Sequence, residues 1–119
     1  MVSKIDLTDI TNIVVFDDDR SIHEMWRARI PERIKIESCH SIEEFESILN
    51  LKLKIKSSLF LIDYDLQENI NGVEIIKQYM FKNSILVTST HISKIESICE
   101  SHGIKMIPKN LVPYIKLVP

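Results

Sequence analysis

The sequence predicts an α/β fold in which helices cover both faces of a parallel β-sheet. Short apolar runs suited to buried strands alternate with segments whose apolar residues recur at helical spacing. Two of these runs, residues 13–16 and 59–62, are continuously apolar and lead directly into aspartates. A strand covered on both faces has this continuous pattern and tolerates a charge only at its end. We therefore expect Asp17, Asp18 and Asp63 to lie at the carboxyl ends of strands, where open α/β sheets bind ligands.

The first predicted strand, residues 12–16, follows a mixed polar segment at residues 1–11 that we interpret as a short leader. A helix then runs from 19–21 to Pro31, because proline cannot continue a helix. The alternating residues 34–37 predict a half-exposed edge strand. One face of this first helix carries Ile22, Met25, Trp26 and Ile30 at helical spacing.

Ser41 and Glu44 form a capping box, a pattern typical of a helix start. The second helix begins there, and residues 51–56 after it alternate with a period of two, which indicates a connector or a further strand. The strand at 59–62 and a third helix follow. The strand at 84–88 then leads to a fourth helix that ends at Gly103, and residues 105–107 form a fifth strand. The buried face of the second helix is predicted to carry Ile42, Phe45, Ile48 and Leu49. The third helix is marked by Val73, Ile76, Tyr79 and Met80, and the fourth is lined by Ile92, Ile95, Ile98 and Cys99.

Strands that alternate with helices favour right-handed crossovers, and five such strands usually take the flavodoxin-like order 2-1-3-4-5. The first and third predicted strands are then neighbours, about 4.8 Å apart, in the middle layer of a three-layer sandwich. Asp17, Asp18 and Asp63 converge on one pocket in this arrangement. Thr88 and Lys109 reach the same pocket from the ends of the next two strands.

Length and composition limit the classes of function. The 119 residues are the usual size of one domain, so we expect a single domain over residues 1–119. The formal net charge of −2 gives no general reason to expect nucleic acid or an anionic membrane as partner. No stretch of about 18 uncharged apolar residues could span a membrane, and Asp6 lies where a signal peptide requires an apolar core. Cys39 and Cys99 lack redox or metal spacing, which indicates reduced thiols in a cytoplasmic protein.

Three carboxylates that converge repel one another unless a proton, an ammonium group or a divalent cation compensates their charge. Oxygen ligands without a nearby histidine or thiolate suit Mg²⁺, and Lys109 can supply a fixed positive charge. A carboxylate beside Mg²⁺ and a lysine is a competent nucleophile toward phosphorus, which would give an aspartyl phosphate at Asp63. Thr88 can hydrogen-bond one of the phosphoryl oxygens. The residues therefore predict phosphoryl-transfer chemistry.

Over nearly its whole length the chain resembles the receiver domains of two-component response regulators. That family has an acidic pair after the first strand, a phosphoacceptor aspartate after the third, Ser or Thr after the fourth and Lys after the fifth. The residues 17–18, Asp63, Thr88 and Lys109 match in order, and Gly72 matches the glycine that follows the third-strand loop. The resemblance therefore identifies a phosphorylatable signalling module rather than an enzyme.

The resemblance implies that Asp63 accepts a phosphoryl group from a phosphohistidine of a sensor histidine kinase or a histidine phosphotransfer domain. It implies that Asp18, Asp63 and the backbone carbonyl of Asp65 ligate Mg²⁺, and that Asp17 acts mostly through a water molecule. Phosphorylation would bias an equilibrium between two surface conformations. The output domain or protein is not indicated, and no direct contact with nucleic acid or membrane is expected.

The chain departs from this family at several positions. Residues 67–69 stand where the family has a proline, Pro108 precedes Lys109 where the usual order is Lys-Pro, and Met106 replaces the aromatic residue of the fifth strand. Ten residues follow Lys109 and include two prolines, so we expect the fifth helix to be missing or much shortened. Short endings of this kind resemble the C-terminal receivers of hybrid histidine kinases.

Two other functions fit parts of the pattern. A pseudo-receiver, which keeps the fold and binds partners without phosphorylation, is favoured by the altered loop and the missing helix. The motif Asp63-x-Asp65 after an apolar strand resembles the nucleophile motif of haloacid-dehalogenase phosphatases, although residues 66–67 depart from that pattern and the chain is shorter. His23-Glu24 resembles a kinase histidine box only superficially, because Arg27 and Pro31 stand at the wrong distances.

Overall fold

The computed structural model describes residues 2–50, 55–66, 70–89 and 92–119. Most of the predicted connector at 51–56 lies outside these residues. None of the helices in these ranges is long and apolar enough to cross a membrane. The described elements are β1 (Lys4–Asp6), β2 (Asn12–Phe16), α1 (Arg20–Arg29), β3 (Lys35–Cys39), α2 (Ile42–Asn50), a 3₁₀ helix (Ile55–Ser57), β4 (Ser58–Asp63), α3 (Gly72–Tyr79), β5 (Ser84–Thr88), α4 (Ile92–His102), β6 (Lys105–Pro108), a second 3₁₀ helix (Lys109–Tyr114) and β7 (Lys116–Val118).

Strands β2 to β6 form a parallel sheet in the order β3-β2-β4-β5-β6. This is the predicted order 2-1-3-4-5, because β2 is the first strand of the prediction. Phe16 at the end of β2 aligns with Ile62 near the end of β4. The strands β2 and β4 therefore end side by side, and the residues that follow these two positions are neighbours in space.

The sheet separates two cores because successive side chains of a strand point to opposite faces. Ile13 and Val15 of β2 pack in the core that contains Trp26 of α1. Val14 and Phe16 pack in the core that contains Phe45 of α2, together with residues of α3 and α4. The predicted α/β architecture with helices on both faces is confirmed.

Local signals for helix ends are also confirmed. The Asp19 side chain accepts a hydrogen bond from the Ser21 backbone N–H at the start of α1. The Ser41 hydroxyl accepts one from the Glu44 backbone N–H at the start of α2, at 3.2 Å. Gly103 follows α4 with φ 67°, a left-handed conformation that suits glycine.

The interpretation of residues 1–11 as a leader is wrong. Strand β1 pairs in parallel with β7, and Ile5, Leu7 and Ile10 are buried in the same core as Trp26. The apolar residues of this segment are few and separated by polar ones, so they give only a weak strand signal. Its partner lies at the far end of the chain, where no local pattern could indicate the pairing.

The predicted absence of a full fifth helix is confirmed within the described residues. A 3₁₀ helix and β7 occupy 109–118 instead, and Val112 and Ile115 complete the core beside α1. The Arg29 guanidinium donates hydrogen bonds to the carbonyl oxygens of Val112 and Ile115, which fixes this segment against α1. The β1–β7 ribbon and the 3₁₀ helix thus cover part of the sheet face next to α1.

Both cysteines are free and buried, in agreement with the prediction of reduced thiols. Burial is the main cause that raises the pKa of Cys39 to about 12. A thiol with this pKa is almost entirely protonated near neutral pH and is a poor nucleophile. Cys39 and Cys99 therefore act as small core residues.

Candidate functional site

Three aspartates meet at the carboxyl edge of the sheet. Asp17 follows β2 and Asp63 ends β4, and the two residues are only 1% and 3% exposed. One carboxylate oxygen each of Asp17, Asp18 and Asp63 lies within 4.8 Å of the other two. Asp18 is exposed and gives the group access to solvent. The structure thus brings together the three carboxylates that the strand order predicted to converge.

Lys109 places its ammonium group between the two buried carboxylates. Its Nζ lies 2.9 Å from Asp17 Oδ2 and 3.3 Å from Asp63 Oδ2. The lysine follows β6 directly, and β6 is held beside β5 by parallel pairing, so its position depends on the sheet itself. One largely buried cation is therefore shared by two buried anions.

The electrostatics of this group show a shortage of positive charge. Burial, followed by the charge of Asp17, raises the pKa of Asp63 to about 7, although Lys109 opposes the shift. Burial also raises the pKa of Asp17, against the hydrogen bond from the Asp19 backbone N–H and the ion pair with Lys109. For Lys109, burial lowers the pKa, but the ion pairs with Asp17 and Asp63 outweigh it and the net shift is upward. A further cation would relieve the remaining repulsion.

The donor atoms of the site fit a hard divalent cation. Asp63 Oδ1 is buried and has no hydrogen-bond partner among the described residues, so its lone pairs are available. The three side chains offer carboxylate oxygens, which Mg²⁺ and Ca²⁺ prefer. These residues could therefore hold a metal ion of this class.

Gly72 permits the close approach of α3 to the end of β4. A Cβ atom on this residue would lie 2.2 Å from the Asp63 carbonyl oxygen and 2.6 Å from Leu86 Cδ1. The Gly72 N–H donates to the Tyr64 carbonyl at 3.0 Å, and the Asn71 side chain caps the helix by accepting from the Glu74 N–H. The sequence resemblance singled out Gly72, and this contact gives the physical reason for a glycine.

Thr88 and Asp65 are the remaining residues of the predicted site. Thr88 ends β5, is completely buried and lies opposite Pro108 in the β5–β6 register. Asp65 is exposed, lies two residues after β4 and forms an isolated bridge with Asn71. Its charge contributes to the raised pKa of Asp63, but its carboxylate does not belong to the group of three. The roles of Thr88 and of the Asp65 carbonyl remain predictions.

His23 is a residue of this region that the sequence did not reveal. Its Nε2 lies 2.7 Å from the Asp17 carbonyl oxygen, and a carbonyl can only accept, so Nε2–H is the donor. The ring is buried and packs against the ring of His40 at a centroid distance of 4.4 Å. The backbone that carries Asp17 is thereby fixed from α1. No short motif encodes a contact between a strand end and a helix side chain, so the sequence offered no signal for it.

Comparison with known proteins gives one informative structural likeness. No protein-family model matches the sequence, and no curated protein matches it. The fold is similar to the crystal structure of the response regulator DrrB of Thermotoga maritima, an OmpR/PhoB homologue, with a TM-score of 0.67 and 21% sequence identity. The match covers 87% of this chain and 48% of that one, so this chain spans about half the length of the solved structure. A likeness at this identity concerns the fold, and the chain thus has the receiver-type fold that its sequence predicts.

Proposed function

We propose that this chain is a receiver domain, residues 1–119, in a cytoplasmic two-component phosphorelay. Asp63 accepts a phosphoryl group from a phosphohistidine of a sensor histidine kinase or a histidine phosphotransfer domain. The observation that carries the proposal is the position of Lys109 Nζ, 2.9 Å from Asp17 and 3.3 Å from Asp63. The buried Asp63 Oδ1, which lacks a hydrogen-bond partner among the described residues, supports it because that atom is free to form a new bond.

The transfer step moves one phosphoryl group between two proteins. An oxygen of the Asp63 carboxylate forms a bond to phosphorus while the P–N bond to the partner's imidazole breaks. The imidazole leaves with the electron pair of that bond and takes up a proton from solvent if it is not already protonated. Lys109 holds the phosphoryl oxygens by charge, and the Thr88 hydroxyl donates a hydrogen bond to one of them. Asp63 itself needs no proton transfer, but it must be ionised to attack.

Mg²⁺ is the cation that we assign to this site. Asp18, Asp63 and the Asp65 carbonyl would hold it directly, with Asp17 close by, and it would supply positive charge to the site and to the phosphoryl oxygens. The raised pKa of Asp63, about 7 without a metal, means that a proton competes for the nucleophile near neutral pH. We therefore expect phosphorylation to require a divalent cation.

Incubation with acetyl phosphate and Mg²⁺ tests this function directly. The intact mass of the native chain should rise by one phosphoryl group, and a chelator should prevent the rise. The Asp63→Asn variant should show no change, while Asp65→Asn, which alters an exposed carboxylate outside the group of three, should still be modified. An equal rise in the native chain and in Asp63→Asn would contradict the assignment of the phosphoacceptor.

A pseudo-receiver is the second candidate, and the altered C-terminal region favours it. Met106 is buried where receivers carry an aromatic residue, and a 3₁₀ helix begins at Lys109. Such a module would bind Mg²⁺ at the acidic group and yet show no increase in mass with acetyl phosphate. Turnover of p-nitrophenyl phosphate well beyond one equivalent would instead support the haloacid-dehalogenase alternative.

A further inference from the structure

A second candidate binding site lies at the opposite, amino edge of the sheet. Two cavities of about 270 and 130 Å³ adjoin there and share Ser84 and Lys105 in their walls. We call them together the amino-edge groove. Ser84, Lys105 and Lys4 are the first residues of β5, β6 and β1, and the C-terminal ends of α3 and α4 complete the wall. A strand of five residues separates this groove from Thr88 by about 13 Å along β5.

The larger cavity is strongly basic. Lys77, Lys82, Lys105 and His102 line it, and its lining contains no aspartate or glutamate. None of the three lysines forms an ion pair with another residue in the described part of the chain. A basic residue in the last turn of a helix, such as Lys77, complements the helix dipole. Lys82 and Lys105 lie outside the helices, so the dipole does not account for them.

The floor of the groove is apolar. Ile76 and Phe81 are buried beneath it, and Ile104 is half-buried beside them. Met80 lies at its rim with 85% of its surface exposed and with φ 52°, a left-handed conformation that is unfavourable for a residue with a side chain. An exposed methionine in this conformation adds apolar surface at the mouth of a basic groove.

We propose that the amino-edge groove binds an acidic segment of a partner protein whose carboxylates alternate with apolar side chains. The charge of the lysines selects an anionic occupant, and the apolar floor selects one that also carries hydrophobic side chains. The two cavities lie in succession along one edge and are open to solvent, which suits an extended peptide. Nucleic acid fits less well, because the chain has a net charge of −2 and the wall of the smaller cavity contains Asp6 as well as Lys4. This proposal does not depend on Asp63 or on phosphorylation.

Fluorescence anisotropy of labelled peptides with the intact chain tests the proposal. A peptide of alternating glutamate and leucine should bind saturably and more weakly at high salt, because salt screens exposed charges. A glutamate–serine peptide should bind more weakly, and a lysine–leucine peptide should not bind. Equal binding of the glutamate–leucine and glutamate–serine peptides would indicate a general anion site and overturn the proposal. A failure of the glutamate–leucine peptide to bind would also overturn it.

Variants with the same change in net charge locate the binding site. Lys77→Glu with Lys105→Glu should weaken binding of the glutamate–leucine peptide by about tenfold or more. Arg20→Glu with Lys94→Glu, which reverses two exposed basic residues outside the groove, should change it by less than about twofold. Met80→Asn, a substitution compatible with the left-handed conformation, should weaken it by about threefold.

Equal losses in the two double variants would show nonspecific attraction and overturn the proposal. Sedimentation of the chain without peptide provides a further test. Self-association that Lys77→Glu with Lys105→Glu abolishes would assign the groove to a second copy of the chain instead. All substituted residues are exposed, and circular dichroism of each variant should match that of the native chain.

Discussion

The two edges of one parallel sheet carry opposite charge in opposite surroundings. At the carboxyl edge, Asp17 and Asp63 are buried and share Lys109. At the amino edge, Lys77, Lys82 and Lys105 are exposed and form no ion pair with a described residue. Buried charges interact strongly with one another, whereas exposed charges are hydrated and screened. Burial, more than the number of charges, therefore distinguishes the candidate phosphoryl-transfer site from the proposed binding groove.

Removal of a lysine from each edge should give the largest difference. Lys109→Ala leaves two buried carboxylates without their cation and should lower the unfolding free energy by about 3 kcal/mol at neutral pH without Mg²⁺. Lys105→Ala at the exposed edge should change it by no more than about 0.5 kcal/mol. Urea denaturation of both variants measures the two changes in unfolding free energy. Similar losses in the two variants would contradict the expected difference between a buried and an exposed lysine.

Glycine substitutions should also cost more stability at the carboxyl edge than at the amino edge. Gly72→Ala should cost about 3 kcal/mol, since the new methyl group meets the backbone of Asp63 and that backbone cannot move without displacing the site. At the amino edge, a Cβ atom added to Gly103 would meet no atom within 4 Å, and only the φ of 67° would strain it. Gly103→Ala should therefore lower the unfolding free energy by about 1 kcal/mol. Thermal unfolding of both variants ranks their losses of stability. A larger loss of stability for Gly103→Ala than for Gly72→Ala would contradict the prediction.

The pH dependence of stability should come from the buried edge. Burial and the charge of Asp17 raise the pKa of Asp63 from 3.8 to about 7, so the folded chain binds this proton more tightly than the unfolded chain. The stability associated with Asp63 is therefore fully present below pH 3.8 and is lost as the pH rises through about 7. Asp63→Asn removes this loss and should be more stable than the native chain above pH 7, on the order of 2 kcal/mol without Mg²⁺.

Denaturation from pH 4 to pH 8 in the presence of a chelator measures this difference between the native chain and Asp63→Asn. Mg²⁺ should then stabilise the native chain more than the variant, since an ion that binds only the folded state shifts unfolding by mass action. A difference that shrinks as the pH rises would show that Asp63 has the opposite shift in pKa.

The hydrogen bond from His23 should give the smallest of these effects. His23→Leu leaves the buried Asp17 carbonyl without its donor and should cost about 1 kcal/mol. His23→Gln, whose amide N–H can replace Nε2–H, should cost less and should keep more of the rate of phosphorylation by acetyl phosphate. Equal behaviour of the two variants would show that the ring acts by packing alone.

The sequence predicted most of the sheet because its strands are encoded locally. The apolar runs before Asp17 and Asp63 are long enough to identify buried strands, and alternation with helices then restricts the strand order. The acidic group follows from that order without knowledge of any side-chain conformation. The same reasoning failed for residues 1–11, where a strand of three residues depends on a partner far along the chain.

Contacts between remote segments account for the other omissions. His23 reaches the Asp17 carbonyl only because α1 turns back over the end of β2, and this geometry has no counterpart in residue spacing. The amino-edge groove likewise combines ends of helices and starts of strands that are ordinary when read one at a time. Lys77 near a helix terminus and Lys105 at a strand start become notable only when the fold places them around one cavity.

Parallel pairing of β1 with β7 also affects the order in which the chain can fold. Lys4 lies opposite Lys116, so the ribbon joins segments from the two extremes of the described chain. During synthesis β1 leaves the ribosome long before β7, and Ile5 and Leu7 must stay without their neighbours in β7 until that strand has emerged. Closure of this ribbon is therefore expected among the last events of folding, because contacts between such distant residues form slowly.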